Sequence, residues 1–326
     1  MNEANFLKKY KSKWQTFEKV LKDNNSSSLK PDEIADLYIQ ITDDLSYART
    51  FYPNSKTVYY LNNLSLTAHR ILFTHKKIEA DRPFQFFVTE LPLILYKNQK
   101  YIFYAFIVFF LSICIGAVSA ANDYEFVRII LGDNYINTTL ENIEKGDPMA
   151  IYKSANNLDM FFAITLNNIK VSFYVFVSGI FTAFATIFLL FQNGVMLGAF
   201  QYFFYDKNLF SISASAIYLH GTLELSAIVI AGAAGFVLGN SFLFPQTYSR
   251  LFALKNGARE SMKIVIGLIP IFILAGFIES FVTRYYKDMP AFINYLIIII
   301  SAFFILFYYI IYPIKVFKKY TNATSK

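Results

Sequence analysis

Three ionisable side chains lie inside long apolar stretches of the sequence: His220, Glu224 and Glu279. A charged side chain at the centre of a bilayer costs about 2.5–3.5 kcal/mol on insertion scales, so such residues usually face a helix-bundle interior or water. His220 and Glu224 are four positions apart, which places them on one face of a helix. Asn193, beside Gly194, is a polar break in another apolar stretch. The sequence therefore predicts an intramembrane polar site formed by these four polar residues.

The residue types at this site leave its chemistry open. The site could be a hydrogen-bonded contact between helices, or it could handle protons or a substrate, as interrupted helices often do in transporters. A metal site is not predicted, because one His and two Glu supply only three ligands and their spacing does not show that Glu279 reaches the other two. The sequence contains no P-loop, zinc-protease or nucleophile-elbow motif, so it predicts no catalytic residues and no cofactor.

Small residues recur at helical spacing in the same part of the chain. Such positions let the backbones of neighbouring helices approach closely. The predicted helix-packing positions are Ala227, Ala231, Gly232, Gly235 and Gly239, preceded by Gly194 and Gly198. This pattern predicts either tight packing inside one helical bundle or a contact between two copies of the chain in a homodimer.

The composition indicates that much of the chain has lipid as its solvent. Of the 326 residues, 55% are hydrophobic and 16% are charged, whereas soluble domains are about a quarter charged. A helix needs about 20 apolar residues to cross the hydrocarbon. Five segments come near this length: Tyr101–Ala121, Val171–Phe191, Ile212–Gly239, Lys263–Val282 and Ala291–Tyr312. The sequence therefore predicts an all-α, polytopic membrane protein with about five apolar helical segments, of which the third is broken or re-entrant at His220-Gly221.

Basic residues predict the orientation of these segments, because cytoplasmic loops are enriched in Lys and Arg. Within the transmembrane domain at 101–313, the mainly acidic loop at 122–169 is predicted to be extracytoplasmic, and the basic tail at 314–326 to be cytoplasmic. Five full crossings would put that tail outside if the N-terminus is cytoplasmic. Either the third segment is re-entrant or the tail does not follow the charge rule. The predicted location is a bacterial inner membrane.

The first part of the chain is amphipathic rather than apolar. Three helical stripes within residues 1–81 predict a cytoplasmic helical bundle, and residues 82–100 predict an amphipathic helix in the membrane interface. The predicted partners are membrane lipid and other envelope or cytoplasmic proteins that bind this bundle. The net charge is +7, but the Lys and Arg residues gather beside apolar segments, so nucleic-acid binding is not predicted.

Several short motifs resemble a known membrane-protein family. They are Phe191-Gln192-Asn193-Gly194-Val195-Met196-Leu197-Gly198, Leu219-His220-Gly221-Thr222-Leu223-Glu224-Leu225, Ala231-Gly232-Ala233-Ala234-Gly235 and Phe277-Ile278-Glu279-Ser280-Phe281. Their order and spacing are similar to those of the stage II sporulation protein M family. The chain departs from the family at Leu219, where Pro is frequent, and at Thr283-Arg284, where Thr-Pro is frequent.

The resemblance implies a role in assembly rather than catalysis. In spore formers, the namesake of the family is a membrane scaffold that recruits cell-wall hydrolases. The sequence therefore predicts a non-enzymatic membrane protein that acts as a scaffold or assembly component of a cell-envelope complex. The alternative is a transporter or permease component that uses the polar site around His220, Glu224 and Glu279.

Overall fold

The computed structural model describes residues 2–22, 31–74, 82–150 and 156–324, and all the regular elements within these ranges are helices. The chain divides into two compact units, Met1–Arg82 and Pro83–Lys326. The predicted all-α class is confirmed. Each unit has its own hydrophobic core.

The N-terminal unit is built from three amphipathic helices, α1 (Glu3–Lys22), α2 (Pro31–Phe51) and α3 (Lys56–Thr74). Trp14 is only 1% exposed at the centre of its core. The Trp14 indole nitrogen donates a hydrogen bond to Asp44 Oδ2 at 2.8 Å, and Lys13 Nζ contacts the same oxygen at 2.8 Å. The buried aromatic ring and the satisfied indole N–H therefore join α1 to α2.

The second unit contains the remaining helices. Three short elements come before the longer helices: α4 (Arg82–Gln85), a π-helical turn (Phe86–Glu90) and α5 (Leu91–Lys97). The longer helices and their connections are α6 (Gln99–Asn122), α7 (Tyr124–Leu131), α8 (Asp133–Glu144), α9 (Asn157–Ser178), α10 (Ala183–Asp206), α11 (Phe210–Leu243), α12 (Arg250–Phe277), α13 (Ala291–Leu306) and α14 (Tyr312–Thr324). A π-helical turn (Ile278–Val282) and a 3-10 turn (Thr283–Tyr285) extend α12, and a π-helical turn (Phe307–Ile311) joins α13 to α14.

Among the described residues, six helices are long and apolar enough to cross a membrane: Gln99–Asn122, Asn157–Ser178, Ala183–Asp206, Phe210–Leu243, Arg250–Tyr285 and Ala291–Asn322. The prediction of one crossing at Val171–Phe191 is wrong, because a turn divides that stretch between α9 and α10. Thr182 caps the start of α10 by accepting a hydrogen bond from the Ala185 backbone N–H at 3.3 Å. The apolar composition continues through the turn, so it does not interrupt the hydropathy pattern.

The predicted break in the third segment is also wrong. α11 is one continuous helix of 34 residues that includes His220 and Gly221, so it cannot form a re-entrant hairpin. A glycine inside a helix costs only about 1 kcal/mol relative to alanine, and packing readily outweighs this. If all six apolar helices cross the membrane, both ends of the second unit lie on one side. The conflict between charge and an odd number of crossings then disappears.

The loop predicted at 122–169 is shorter than expected. It contains α7 and α8, but α9 begins at Asn157, so residues 157–169 belong to a helix of spanning length. The predicted loop therefore overlaps the start of α9, and its residues 151–155 lie outside the described part of the chain. The predicted loop extends too far because Asn167 and Asn168, at the middle of α9, interrupt the apolar pattern of this helix.

The segment predicted to lie in the interface packs closely against the C-terminal helices. Leu91 and Leu95 of α5 are fully buried. A π-helical turn leaves backbone carbonyl groups without their usual partners. Tyr308 donates its hydroxyl to the Phe87 carbonyl at 2.8 Å, and Tyr312 does the same to the next carbonyl at 3.0 Å. The segment is thereby held in the second unit, and its depth in the membrane remains a prediction.

Candidate functional site

Ionisable side chains from α11 and from the end of α12 converge at one place in the second unit. His220 and Glu224 lie one turn apart on α11, and Glu279 lies in the π-helical turn that follows α12. One donor atom from each of the three residues lies within 4.8 Å of the others. His220 is 4% exposed and Glu279 is 9% exposed. The structure therefore brings together the three ionisable residues singled out in the sequence, including the one whose position the spacing could not show.

The π-helical turn determines the direction of Glu279. A π-turn adds one residue to a helical turn and so rotates the following side chains relative to an ideal α-helix, and such turns are frequent at functional sites. Just before it, Gly276 packs against Thr165 of α9, where a Cβ on the glycine would overlap the threonine hydroxyl. The absence of a side chain at Gly276 lets α12 approach α9 at the level of the site.

Two further polar residues support the cluster. Thr283 Oγ1 lies 3.1 Å from His220 Nδ1, and His220 Nε2 points toward Glu279, 3.8 Å from its Oε1 atom. The Asn168 side-chain amide donates a hydrogen bond to Glu224 Oε1. Neither Thr283 nor Asn168 was predicted as a site residue. Asn168 carried a usable signal, since it is a polar residue within what proves to be an apolar helix.

A cavity of about 340 Å³ adjoins the three ionisable residues. Its walls come from α7, α8, α10 and α11, through residues that include Leu131, Tyr135, Met196, Phe200 and Ile217. This volume is within the range of small-ligand pockets, about 300–1,000 Å³. Because α7 and α8 line it, the cavity lies toward the end of the bundle where these two helices pack.

Asn193 does not join the cluster. It lies in the middle of α10, where its side-chain amide donates to the Leu189 carbonyl at 2.8 Å, one turn earlier. It is not among the residues that line the cavity beside His220. Its neighbour Gly194 is a packing position, where a Cβ would lie 2.9 Å from the Phe109 carbonyl oxygen of α6. The Asn193-Gly194 pair therefore belongs to a continuous helix and to the contact between α6 and α10.

The other predicted small residues pack inside the same chain. A Cβ on Gly198 would lie 2.7 Å from Ala117 N of α6 and even closer to the Ile113 carbonyl oxygen. On α11, such an atom at Gly235 would lie 2.7 Å from Thr186 Oγ1, and one at Gly239 would lie 3.0 Å from a carbonyl oxygen in the turn before α10. Fully or almost fully buried with them are Ala227, Ala231 and Gly232. A homodimer, which remains a prediction, would have to use another surface.

The six apolar helices define a polytopic α-helical membrane protein, and three ionisable side chains line a pocket in its second unit. Residues 105–284 match the family model of stage II sporulation protein M, and the chain belongs to that family, as its motifs predicted. The match includes all three ionisable site residues.

Both units of the chain are similar to known protein families. Residues 4–74 match a domain of unknown function (DUF8413), so the N-terminal helices recur as a recognised unit. An uncharacterized protein of Methanocaldococcus jannaschii is 29% identical over 194 residues, which cover 57% of this chain and 83% of that protein. No solved structure matches the chain.

Proposed function

We propose that this chain is a non-enzymatic membrane scaffold, in which the N-terminal unit binds a partner protein and the second unit holds that partner at the membrane. The observation that carries the proposal is the organisation of the chain into two compact units. The N-terminal unit has its own buried aromatic core, and it matches a domain family separate from the one that covers the membrane helices. A folded helical unit joined to a membrane bundle suits a protein that recruits others.

The groove between α1 and α3 is the proposed docking surface for the partner. It has a volume of about 760 Å³, and its walls include Trp14 and Tyr60. Three exposed lysines line it, Lys8 and Lys11 from α1 and Lys56 from α3. An apolar floor with a mainly basic rim fits an amphipathic segment with acidic side chains, since rim charges give specificity and faster association.

Charge reversal in this groove tests the scaffold. The full chain carrying Lys8→Glu and Lys11→Glu would be cross-linked in native membranes, and the captured proteins would be quantified against those of the wild type. We expect at least a fivefold loss of specific partners. Lys19→Glu is the matched control, because Lys19 is exposed on the same helix but does not line the groove. Equal capture by the double variant and the control would contradict the proposal.

Orientation is part of the same proposal. We place the N-terminal unit in the cytoplasm and the α7–α8 end of the bundle outside, in a cell membrane. Lys97 pairs with Glu260 at one end of the second unit, and Lys287 pairs with Asp147 at 2.8 Å at the other. With six crossings, the first of these ends and the basic C-terminal tail share one side, as the enrichment of Lys and Arg in cytoplasmic segments favours.

Transport of a small polar solute is the second candidate, and the cavity beside His220, Glu224 and Glu279 favours it. Intramembrane ionisable residues often mark substrate or ion pathways. The two functions make opposite predictions in a deletion strain whose envelope defect the wild-type chain rescues. A scaffold tolerates Glu224→Gln but loses rescue with Lys8→Glu and Lys11→Glu, whereas a transporter loses rescue with Glu224→Gln and tolerates the groove variant.

A further inference from the structure

We propose that His220, Glu224 and Glu279 bind one divalent transition-metal ion. The 340 Å³ cavity beside these residues supplies the open coordination position of the ion. This inference does not depend on the scaffold role. It starts from the positions of the donor atoms, one from each residue, which lie within 4.8 Å of one another. The two elements that carry them are far apart in the sequence, so the convergence is a product of the fold.

The donor set selects a class of metal. One imidazole nitrogen and two carboxylate oxygens suit Zn²⁺, Mn²⁺ or Fe²⁺, whereas Mg²⁺ and Ca²⁺ prefer oxygen donors alone. Around Zn²⁺ at about 2.1 Å, tetrahedral donors lie roughly 3.4 Å apart. His220 Nε2 and Glu279 Oε1 lie 3.8 Å apart, close to that value. All three donor atoms lie within 4.8 Å of one another, and rotation of a glutamate side chain can bring them to tetrahedral spacing.

The neighbours of the donors orient them as they do in known metal sites. A metal-bound His usually holds its other ring nitrogen in a hydrogen bond that determines the tautomer and the ring direction. Thr283 Oγ1 lies 3.1 Å from His220 Nδ1, whereas the other ring nitrogen, Nε2, faces Glu279. Asn168 holds one carboxyl oxygen of Glu224. Thr283 and Asn168 are therefore positioning residues for the proposed ion.

The surroundings favour a cation with room for one more ligand. Two carboxyl groups in an apolar bundle are stabilised by a positive charge between them, because charges are costly in hydrocarbon. All three donors line the 340 Å³ cavity, which can admit the ion and hold a water molecule on it. Structural zinc sites usually have four protein ligands, whereas three protein ligands leave the fourth position of Zn²⁺ open to water or another ligand. A bound ion would also join α11 to the end of α12.

Metal content of the purified full chain tests the inference. The chain would carry an affinity tag without histidines, be stripped with a chelator in detergent, and be loaded with Zn²⁺, Mn²⁺ or Mg²⁺ before desalting. We expect one Zn²⁺ per chain, weaker retention of Mn²⁺ and no retention of Mg²⁺. We also expect the thermal midpoint to rise with free Zn²⁺, because a ligand that binds only the folded state stabilises it. Failure of the folded wild type to retain Zn²⁺ would overturn the inference.

Variants assign the ion to this site. Glu279→Gln keeps the size and hydrogen-bonding capacity of the side chain, and we expect it to lower Zn²⁺ affinity at least tenfold. Glu260→Gln, in the first half of α12 and outside the cavity lining, is the matched control and should retain one equivalent of Zn²⁺. Thr283→Val should weaken binding about tenfold, the effect of losing a ligand-orienting partner. Unchanged Zn²⁺ affinity in both Glu279→Gln and Thr283→Val would overturn the assignment. The spectrum of bound Co²⁺ should change in Thr283→Val, a response that loss of packing alone would not produce.

Discussion

Replacement of Gly198 by alanine should destabilise the membrane unit, although alanine is the better helix former. A Cβ built on Gly198 would lie 2.7 Å from Ala117 N and closer still to the Ile113 carbonyl oxygen. Both atoms belong to the backbone of α6, which cannot rotate away as a side chain can. α6 and α10 would therefore have to separate along their shared contact, and Gly116, packed on the Val195 backbone, would lose its close approach as well.

The expected magnitude follows from two opposing terms. Overpacking of a tight contact costs about 1–3 kcal/mol, and a backbone obstacle puts Gly198→Ala near the upper limit. Helix propensity returns about 1 kcal/mol, so the net loss of unfolding free energy is about 2 kcal/mol. Gly221→Ala is the matched control, because its new Cβ would be in ordinary contact with two side-chain atoms, Ile217 Cγ2 at 3.4 Å and Leu225 Cδ1 at 4.0 Å. The unfolding free energy of Gly221→Ala should rise by up to about 1 kcal/mol, because alanine has the higher helix propensity.

Thermal unfolding in detergent, followed by circular dichroism at 222 nm, measures the difference. A gap of about 3 kcal/mol between the two variants corresponds to roughly 6–12 °C in midpoint for a unit of this size. Trp14 is the only tryptophan in the chain and lies in the N-terminal unit, so its fluorescence transition should be the same in both variants. Equal midpoints for Gly198→Ala and Gly221→Ala would refute the close contact between α6 and α10.

Two further predictions concern pH and orientation. Hydrogen bonds from Ser55 and Thr57 lower the pKa of Glu3 from its usual 4.5, so its stabilising contribution is complete above that pH and is lost as the pH falls through the folded-state value. Urea unfolding followed by tryptophan fluorescence should therefore show a loss below about pH 4.5 that Glu3→Gln lacks, and parallel pH profiles would contradict the pairing. In a cysteine-free background, Glu144→Cys should react with an impermeant thiol reagent in intact cells, whereas Lys318→Cys should react only after permeabilisation. Labelling of both positions in intact cells would refute six crossings.

Local spacing in the sequence was enough to determine the class of the protein and part of its site. Long apolar segments require a lipid environment, because a water-soluble fold could not bury them all. His220 and Glu224 share a face because four residues make about one helical turn. The stripe that includes Phe6, Trp14 and Phe17 predicts a helix with one buried side, and these residues form the N-terminal core.

Only the tertiary structure decided how these elements meet. The hydropathy pattern does not show the turn that divides Val171–Phe191, because its residues are as apolar as the helices on either side. The turn is instead held by a tertiary contact, in which Gly179 packs against Gly235 of α11. The continuity of α11 through His220-Gly221 depends on the burial of both residues, since unsatisfied backbone groups there would be more costly than a glycine in a helix. The position of Glu279 depends on a π-helical turn and on the close contact of α12 with α9. Sequence periodicity reports which side of a helix is buried, but the neighbour against which it is buried is a long-range property of the fold.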